Sequence, residues 1–273
     1  MDPWPVQALE ASLDVSPELM SVPDARATQE LPPLWHWLYF LRTARRSEMG
    51  VVGHPADRQL LGSGPPLRRM FASARVEFER PLRLSLPAQM THSILHTRET
   101  QGSSGPLRFV TFAYEYFQDG ACCVREQRDI VYLRADAATP SAVTSAAISA
   151  KATVATVADP AAWRKVVTPD PILLLRFSAL TFNAHRIHYD QQYAQQQEGH
   201  RERVVHGPLV AILLAELLRE HGVRACRRFE LRARRPLFVN EPIELRGQPQ
   251  DDRTLLHAMD PTGAIAMDAT AWH

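Results

Sequence analysis

Cysteine is scarce in this chain: three occur in 273 residues, Cys122, Cys123 and Cys226. Two are adjacent, the count is odd and no C-x-x-C pair exists, so the sequence offers neither a disulfide framework nor a zinc ribbon. Lysine is scarcer still, with Lys151 and Lys165 alone against a background rich in Arg and Ala, a composition expected of a GC-rich bacterial genome. Charge of one sign is missing too: 31 basic against 30 acidic residues leave +1, which gives no long-range pull toward nucleic acid or an anionic membrane. No apolar run approaches the ~18–20 residues of a membrane span. The longest, Leu209 to Ala215, ends at Glu216. The first five residues lack the basic-then-apolar layout of a secretory signal, so a reducing cytoplasm is the expected location.

What is present is an ordinary globular composition, 45% hydrophobic and 22% charged, at a length that suits two domains of roughly 130 residues each. The pattern along the chain predicts a helix near residues 6–13 and, after Pro32-Pro33, a short buried helix over the aromatic stretch 34–41. Residues 50–66 read as a loop. Alternating runs at 74–79, 91–100, 107–118 and 122–133 predict antiparallel strands, with Asp119-Gly120 as a strong hairpin turn. Residues 135–170 are Ala-, Thr- and Pro-rich and read as a linker. Beyond it the sequence predicts a short apolar strand at 172–175, a helix at 208–221 capped by Gly222, and strands at 224–235, 242–248, 253–259 and 264–272.

One apolar helix followed by antiparallel strands, twice over, predicts an α+β double hot-dog: two antiparallel sheets, each wrapped around a central helix. The expected domains are 1–134, degenerate and without a catalytic motif, and 171–273, carrying the chemistry.

The chemistry-bearing segment runs Phe177-Ser178-Ala179-Leu180-Thr181-Phe182-Asn183-Ala184-His185-Arg186-Ile187-His188-Tyr189-Asp190, then Val205-His206-Gly207-Pro208-Leu209. On these residues the chain resembles the MaoC-like hot-dog hydratases. Within them it is most similar to the branch of mesaconyl-CoA and itaconyl-CoA hydratases and type 2 hydroxyacyl-thioester dehydratases. Pro33-Leu34-Trp35-His36-Trp37, Gly105-Pro106-Leu107, Gln118-Asp119-Gly120 and Glu126-Gln127-Asp129-Ile130-Val131-Tyr132, with Arg128 inserted, extend the likeness to about residues 30–273. The family signature places an Asp and a His five positions apart with an Asn between them. Here the His is His188, the Asp position holds Asn183 and the Asn position holds His185.

Asn cannot act as a base, so deprotonating water falls to a histidine. His188 is the first candidate, His185 the second, with Asn183 holding the water. Asp190 is a candidate for fixing a histidine tautomer. Gly207, taken as N-cap of the apolar helix with Pro208 in its first position, is the candidate oxyanion hole for the thioester oxygen. His206, Arg186 and Tyr189 are candidate substrate contacts. Arg228, Arg232 and Arg234 share one strand face, either a solvated surface or a landing site for coenzyme A phosphates. The spacing of His185, His188 and His206 lacks the acidic partner of a metal-binding helix, and no metal is expected.

The resemblance implies a hydro-lyase acting on a short branched dicarboxylic enoyl-CoA thioester, of the mesaconyl- or itaconyl-CoA to citramalyl-CoA type. The alternatives are a 3-hydroxyacyl-thioester dehydratase of fatty-acid metabolism and a non-catalytic acyl-CoA-binding module. The expected partner is the acyl-CoA substrate, without nucleic acid or membrane and without a cofactor, coenzyme A being part of the substrate. A homo-oligomer stays open. A closed, arginine-lined pocket would favour a dicarboxylate; an open apolar tunnel would favour an acyl chain.

Overall fold

A computed structural model describes residues 1–15, 29–55, 67–102, 105–134 and 163–273. Among the described residues nine strands form a single antiparallel sheet: β1 (Leu67–Phe78), β2 (Gln89–Gly102), β3 (Gly105–Gln118), β4 (Ala121–Arg134), β5 (Trp163–Val167), β6 (Arg228–Ala233), β7 (Ile243–Pro249), β8 (Arg253–Met259) and β9 (Ile265–Trp272). Their spatial order is β2-β3-β4-β1-β6-β9-β8-β7-β5. The α+β class therefore holds, but the expected pair of sheets is one sheet, continuous through the pairing of β1 with β6, where Val76 faces Phe229. Asp119 and Gly120 both take positive φ, 50° and 76°, the geometry that a two-residue hairpin matching strand twist requires.

Among the described residues four helices accompany the sheet: α1 (Trp4–Leu13), α2 (Pro171–Leu180), α3 (Gln191–Gln196) and α4 (Gly207–Glu220). Every residue of α4 from Leu209 to Leu218 is buried, because the helix lies in the curve of the sheet among Phe229, Leu231, Ile243, Leu245 and Leu256. Each fully buried Leu or Ile there contributes roughly 1.5–3 kcal/mol. The second enclosed helix expected in the N-terminal half is not found among the described residues; α1 packs on α2 instead.

Three local readings change. The segment expected as a strand at 172–175 is part of α2: Asp170 accepts a hydrogen bond from the Leu173 N–H at 2.7 Å and Pro171 opens the helix, an N-terminal cap that outweighs the β-like apolar run. The aromatic stretch is a four-residue 3₁₀ turn, Trp35–Leu38. Leu34 and Phe40 on either side have φ of 69° and 55°, so the helix cannot propagate. The end of the expected linker, Trp163–Val167, is β5 and pairs with β7; residues 135–162 lie outside the described residues. Among the described residues no helix is long and apolar enough to cross a membrane.

Candidate active site

The stretch after α2 is held in an irregular path by its own polar groups. The Asn183 N–H donates to the Ser178 carbonyl at 2.8 Å, and the Asn183 Oδ1 accepts from the His185 N–H at 3.0 Å, a local turn typical of Asn. A 3₁₀ turn, Arg186–His188, follows and delivers the His188 ring to the interior. From the N-terminal half, Val52 offers its carbonyl to the Arg186 N–H at 3.0 Å, and Gly53 presses against Ala184.

His188 is buried, and its Nδ1 lies 2.7 Å from the Val204 carbonyl oxygen. A carbonyl only accepts, so Nδ1 carries the proton and Nε2 keeps a free lone pair. The His206 ring stacks on His188 with centroids 3.6 Å apart and 21° between planes, and its Nε2 is 2.8 Å from the Ser178 hydroxyl. Burial, followed by the proximity of His206 and His185, pushes His188 well below the usual histidine value; burial pushes His206 down to about 3. Both rings are neutral at physiological pH.

His185 meets His188 edge-on at 5.4 Å and His54 at 4.6 Å. Its Nε2 stands 3.5 Å from a carboxylate oxygen of Glu198, itself buried. Burial raises the Glu198 carboxyl, but His185 and the Arg68 charge outweigh that and leave it below its ordinary value. Asn183, His185, His188 and Gly207 all line one cavity of about 910 Å³. The first helical position of α4 belongs to Gly207, with His206 as the N-cap; the expectation of Gly207 as cap shifts by one residue. At that first position its N–H still lies outside the intrahelical ladder. The position is glycine because a Cβ would fall 2.9 Å from Cδ1 of Phe71.

The family model of hydroxyacyl-thioester dehydratase type 2 matches residues 34–239. The chain belongs to that family. It is 46% identical over 244 residues to the mesaconyl-C(4)-CoA hydratase of Chloroflexus aurantiacus, covering 89% of this chain and 84% of that one. It is 27% identical to the mitochondrial hydroxyacyl-thioester dehydratase type 2 of Schizosaccharomyces pombe, over 88% and 85% of the two chains. Among solved structures, a MaoC-like dehydratase aligns with a TM-score of 0.72 at 13% identity over 100% of this chain and 94% of that one. HtdX of Mycobacterium tuberculosis aligns with a TM-score of 0.67 at 16% identity, over 99% and 95%. These two show the shared fold.

Within this dehydratase-type frame, several residues singled out from sequence lie elsewhere. Arg186 pairs with Asp190 at 2.7 Å, lies over the Tyr193 ring at 4.1 Å, and lines a separate cavity of about 560 Å³. Tyr189 is half exposed and is not among the residues lining the main cavity. Asp190 caps α3 and holds Arg186, so it orients no histidine. Arg228 pairs with Glu230 and Arg234 with Asp268; neither they nor Arg232 reach the cavity, whose arginines are Arg69, Arg128, Arg201 and Arg235. The solvated-face reading of that strand is the one its burial pattern supports. Among the described residues no cluster suited to a metal occurs.

Sequence reasoning did not find His54, Glu198, Ser178, Phe71 or Arg69. Ser178 stands within the quoted segment and Glu198 beyond it, at spacings from the histidines that no rule specifies. All of His54, Phe71 and Arg69 come from the other half of the chain: Phe71 and Arg69 lie on β1 of the continuous sheet, and His54 lies on the loop that meets the catalytic stretch through Val52.

Proposed function

We propose that this protein hydrates a short, branched dicarboxylic enoyl-CoA thioester, of the mesaconyl- to citramalyl-CoA type, with His188 as general base. The observation that carries the reading is the His188 Nδ1 contact to Val204, which leaves Nε2 as a neutral proton acceptor in the cavity. The choice of a dicarboxylic ester follows the Chloroflexus relative's substrate.

In the proposed scheme a water held by the Asn183 side chain adds through its oxygen to the β-carbon and loses a proton to His188 Nε2. The double-bond pair moves to the α-carbon and thioester, placing negative charge on the thioester oxygen. That oxygen lies against the Gly207 N–H, where the positive end of a buried helix counts for more than it would in water. Protonated His188 then returns its proton to the α-carbon, so the atoms of one water are added and the base is regenerated. The need for a donor matched to the transition state, rather than to the neutral carbonyl, is what assigns Gly207 this part. Glu198 acts through His185, holding its ring in place beside the base, and is a positioning residue. No cofactor enters the scheme, and coenzyme A is carried in by the substrate.

Loss of the enoyl-thioester absorbance tests the reading across mesaconyl-, itaconyl-, crotonyl- and long-chain enoyl-CoA. Turnover of a dicarboxylic ester in preference to the long-chain one is expected. Preference for the long chain would move the protein to the fatty-acid dehydratase reading, and no reaction with any ester would end the hydratase reading.

A further inference from the structure

Among the described residues four arginines line the cavity, and they are not equivalent. Arg128 is anchored by the buried Glu126 at 2.6 Å, Arg235 pairs with Asp260 at 3.2 Å, and Arg201 pairs with Glu241. Among the described residues, Arg69 has no carboxylate within ion-pair distance. A half-buried guanidinium without a counter-ion carries a desolvation cost that its surroundings do not offset. An anion bound in the cavity would offset it.

The place of Arg69 narrows the choice of anion. It sits on β1 just before a bulge between Phe71 and Ser73, and bulges re-aim side chains, so that Arg69, Met70, Phe71 and Ala72 all reach the cavity. It shares that cavity with His54, His185 and His188, whose rings follow one another at 4.6 and 5.4 Å. The cation therefore lines the same cavity as the base, from the N-terminal half of the chain. Arg128 lines the same cavity, with its guanidinium 4.9 Å from the Tyr114 ring. Arg201 and Arg235 lie in the C-terminal half and are already neutralised.

Resting on the hydratase reading above, we propose that Arg69, backed by Arg128, binds the free carboxylate of a short dicarboxylic acyl-CoA and selects it over monocarboxylic and long-chain esters. A short diacid carries its second carboxylate on or next to the attacked carbon, so the cation that reads it must share the cavity with the base, as Arg69 does. A guanidinium fork meets a carboxylate with two parallel hydrogen bonds, which fixes the acyl group in orientation as well as place. A fatty acyl chain would bring methylenes to the same wall and leave the charge without a partner. The site would then discriminate in the way of a pocket built for a polar group, rejecting the analogue that lacks it more strongly than an apolar pocket rejects a size change.

Arg69 is the residue to test, because removing Arg128 would strand the buried Glu126 and confuse selectivity with folding. The measurement is the ratio of kcat/KM for mesaconyl-C4-CoA to that for crotonyl-CoA in the wild type, Arg69→Met and Arg69→Lys. A hydrogen-bonded charge contact makes the expected fall in that ratio about 10–100-fold for Arg69→Met, mostly through KM for the diacid. Arg69→Lys, which keeps the charge and loses the fork, should fall between the two, and it carries the test if the Met variant does not fold. A ratio unchanged in the folded variants overturns the proposal while leaving the hydratase reading in place. A wild type that hydrates crotonyl-CoA and no dicarboxylic ester overturns the proposal and the dicarboxylic substrate together; one that hydrates neither overturns the hydratase reading itself.

Discussion

His188 and His206 lie face to face, ring centroids 3.6 Å apart, each with one nitrogen committed to a neighbour, Val204 for the first and Ser178 for the second. Two imidazolium rings could not share that space, so the stack is a device for keeping the base neutral. An ordinary histidine base would place the acid limb of the rate at about pH 6.5. Burial and the adjacent histidines lower His188, so the base stays unprotonated below that value. The pH profile of kcat/KM is therefore expected to stay level through pH 6.5 and fall only at more acid values. A limb centred at 6.5 would show that His188 titrates as an ordinary histidine.

The same depressed values link folding to pH. His54, His188 and His206 titrate near 6.5 in the unfolded chain and below that when folded, His206 at about 3. Below pH 6.5 the unfolded chain binds more protons, so the stability these rings contribute is complete above 6.5 and is lost as pH falls toward the folded values. Each ring contributes a slope of up to about 1.4 kcal/mol per pH unit. Thermal midpoints measured from pH 7.5 to 5 should fall steeply below 6.5, and replacing His206 with Gln should flatten that fall. An unaltered slope in His206→Gln would contradict the assignment.

Gly53 has φ of 86°, and a Cβ there would lie 1.8 Å from the Ala184 carbonyl oxygen. That loop braces the catalytic stretch through the Val52 carbonyl as well. Gly53→Ala combines backbone strain of about 1–3 kcal/mol with a clash against backbone that cannot yield. Turnover should drop at least about tenfold by displacement of Ala184 to His188, a size expected when reacting groups shift by an ångström or so. Wild-type kinetics in Gly53→Ala would mean that the brace is dispensable.

At Gly207 the obstruction is a side chain. Its added Cβ would sit 2.9 Å from Phe71 Cδ1, and a ring can move where a carbonyl cannot. Gly207→Ala is expected to lose both stability, on the order of 1–3 kcal/mol as for other overpacked sites, and turnover. Adding Phe71→Leu should restore the stability in a double-mutant cycle. Additive losses in that cycle would show that the two positions do not compete for space.

The sequence was informative wherever one local rule decided the outcome. Asp119-Gly120 specified its hairpin because both positions need positive φ, and the apolar run from Leu209 specified a helix without a solvent face. It misled where two local rules competed. Ile172–Leu175 looks like a strand by composition, yet Asp170 and Pro171 cap and open a helix. The motif residues Asn183, His185, His188 and Gly207 were legible because they lie close in sequence and meet in one cavity. Arg186, Tyr189 and Arg228 were not separable from them by spacing, since which side of a loop or sheet a side chain takes depends on its tertiary partners. Arg69 and Phe71 depend on the pairing of β1 with β6, and His54 on the docking of its loop against Ala184 and Arg186, contacts across more than 100 residues that no pattern in the intervening chain encodes.

The central claim, a thioester hydratase with His188 as its base, is tested most directly by comparing kcat of the wild type and His188→Ala on mesaconyl-C4-CoA, with circular dichroism to establish that both are folded. Loss of a general base predicts a fall of about 10²–10⁴-fold in a folded variant. A folded His188→Ala enzyme turning over at the wild-type rate would contradict the account.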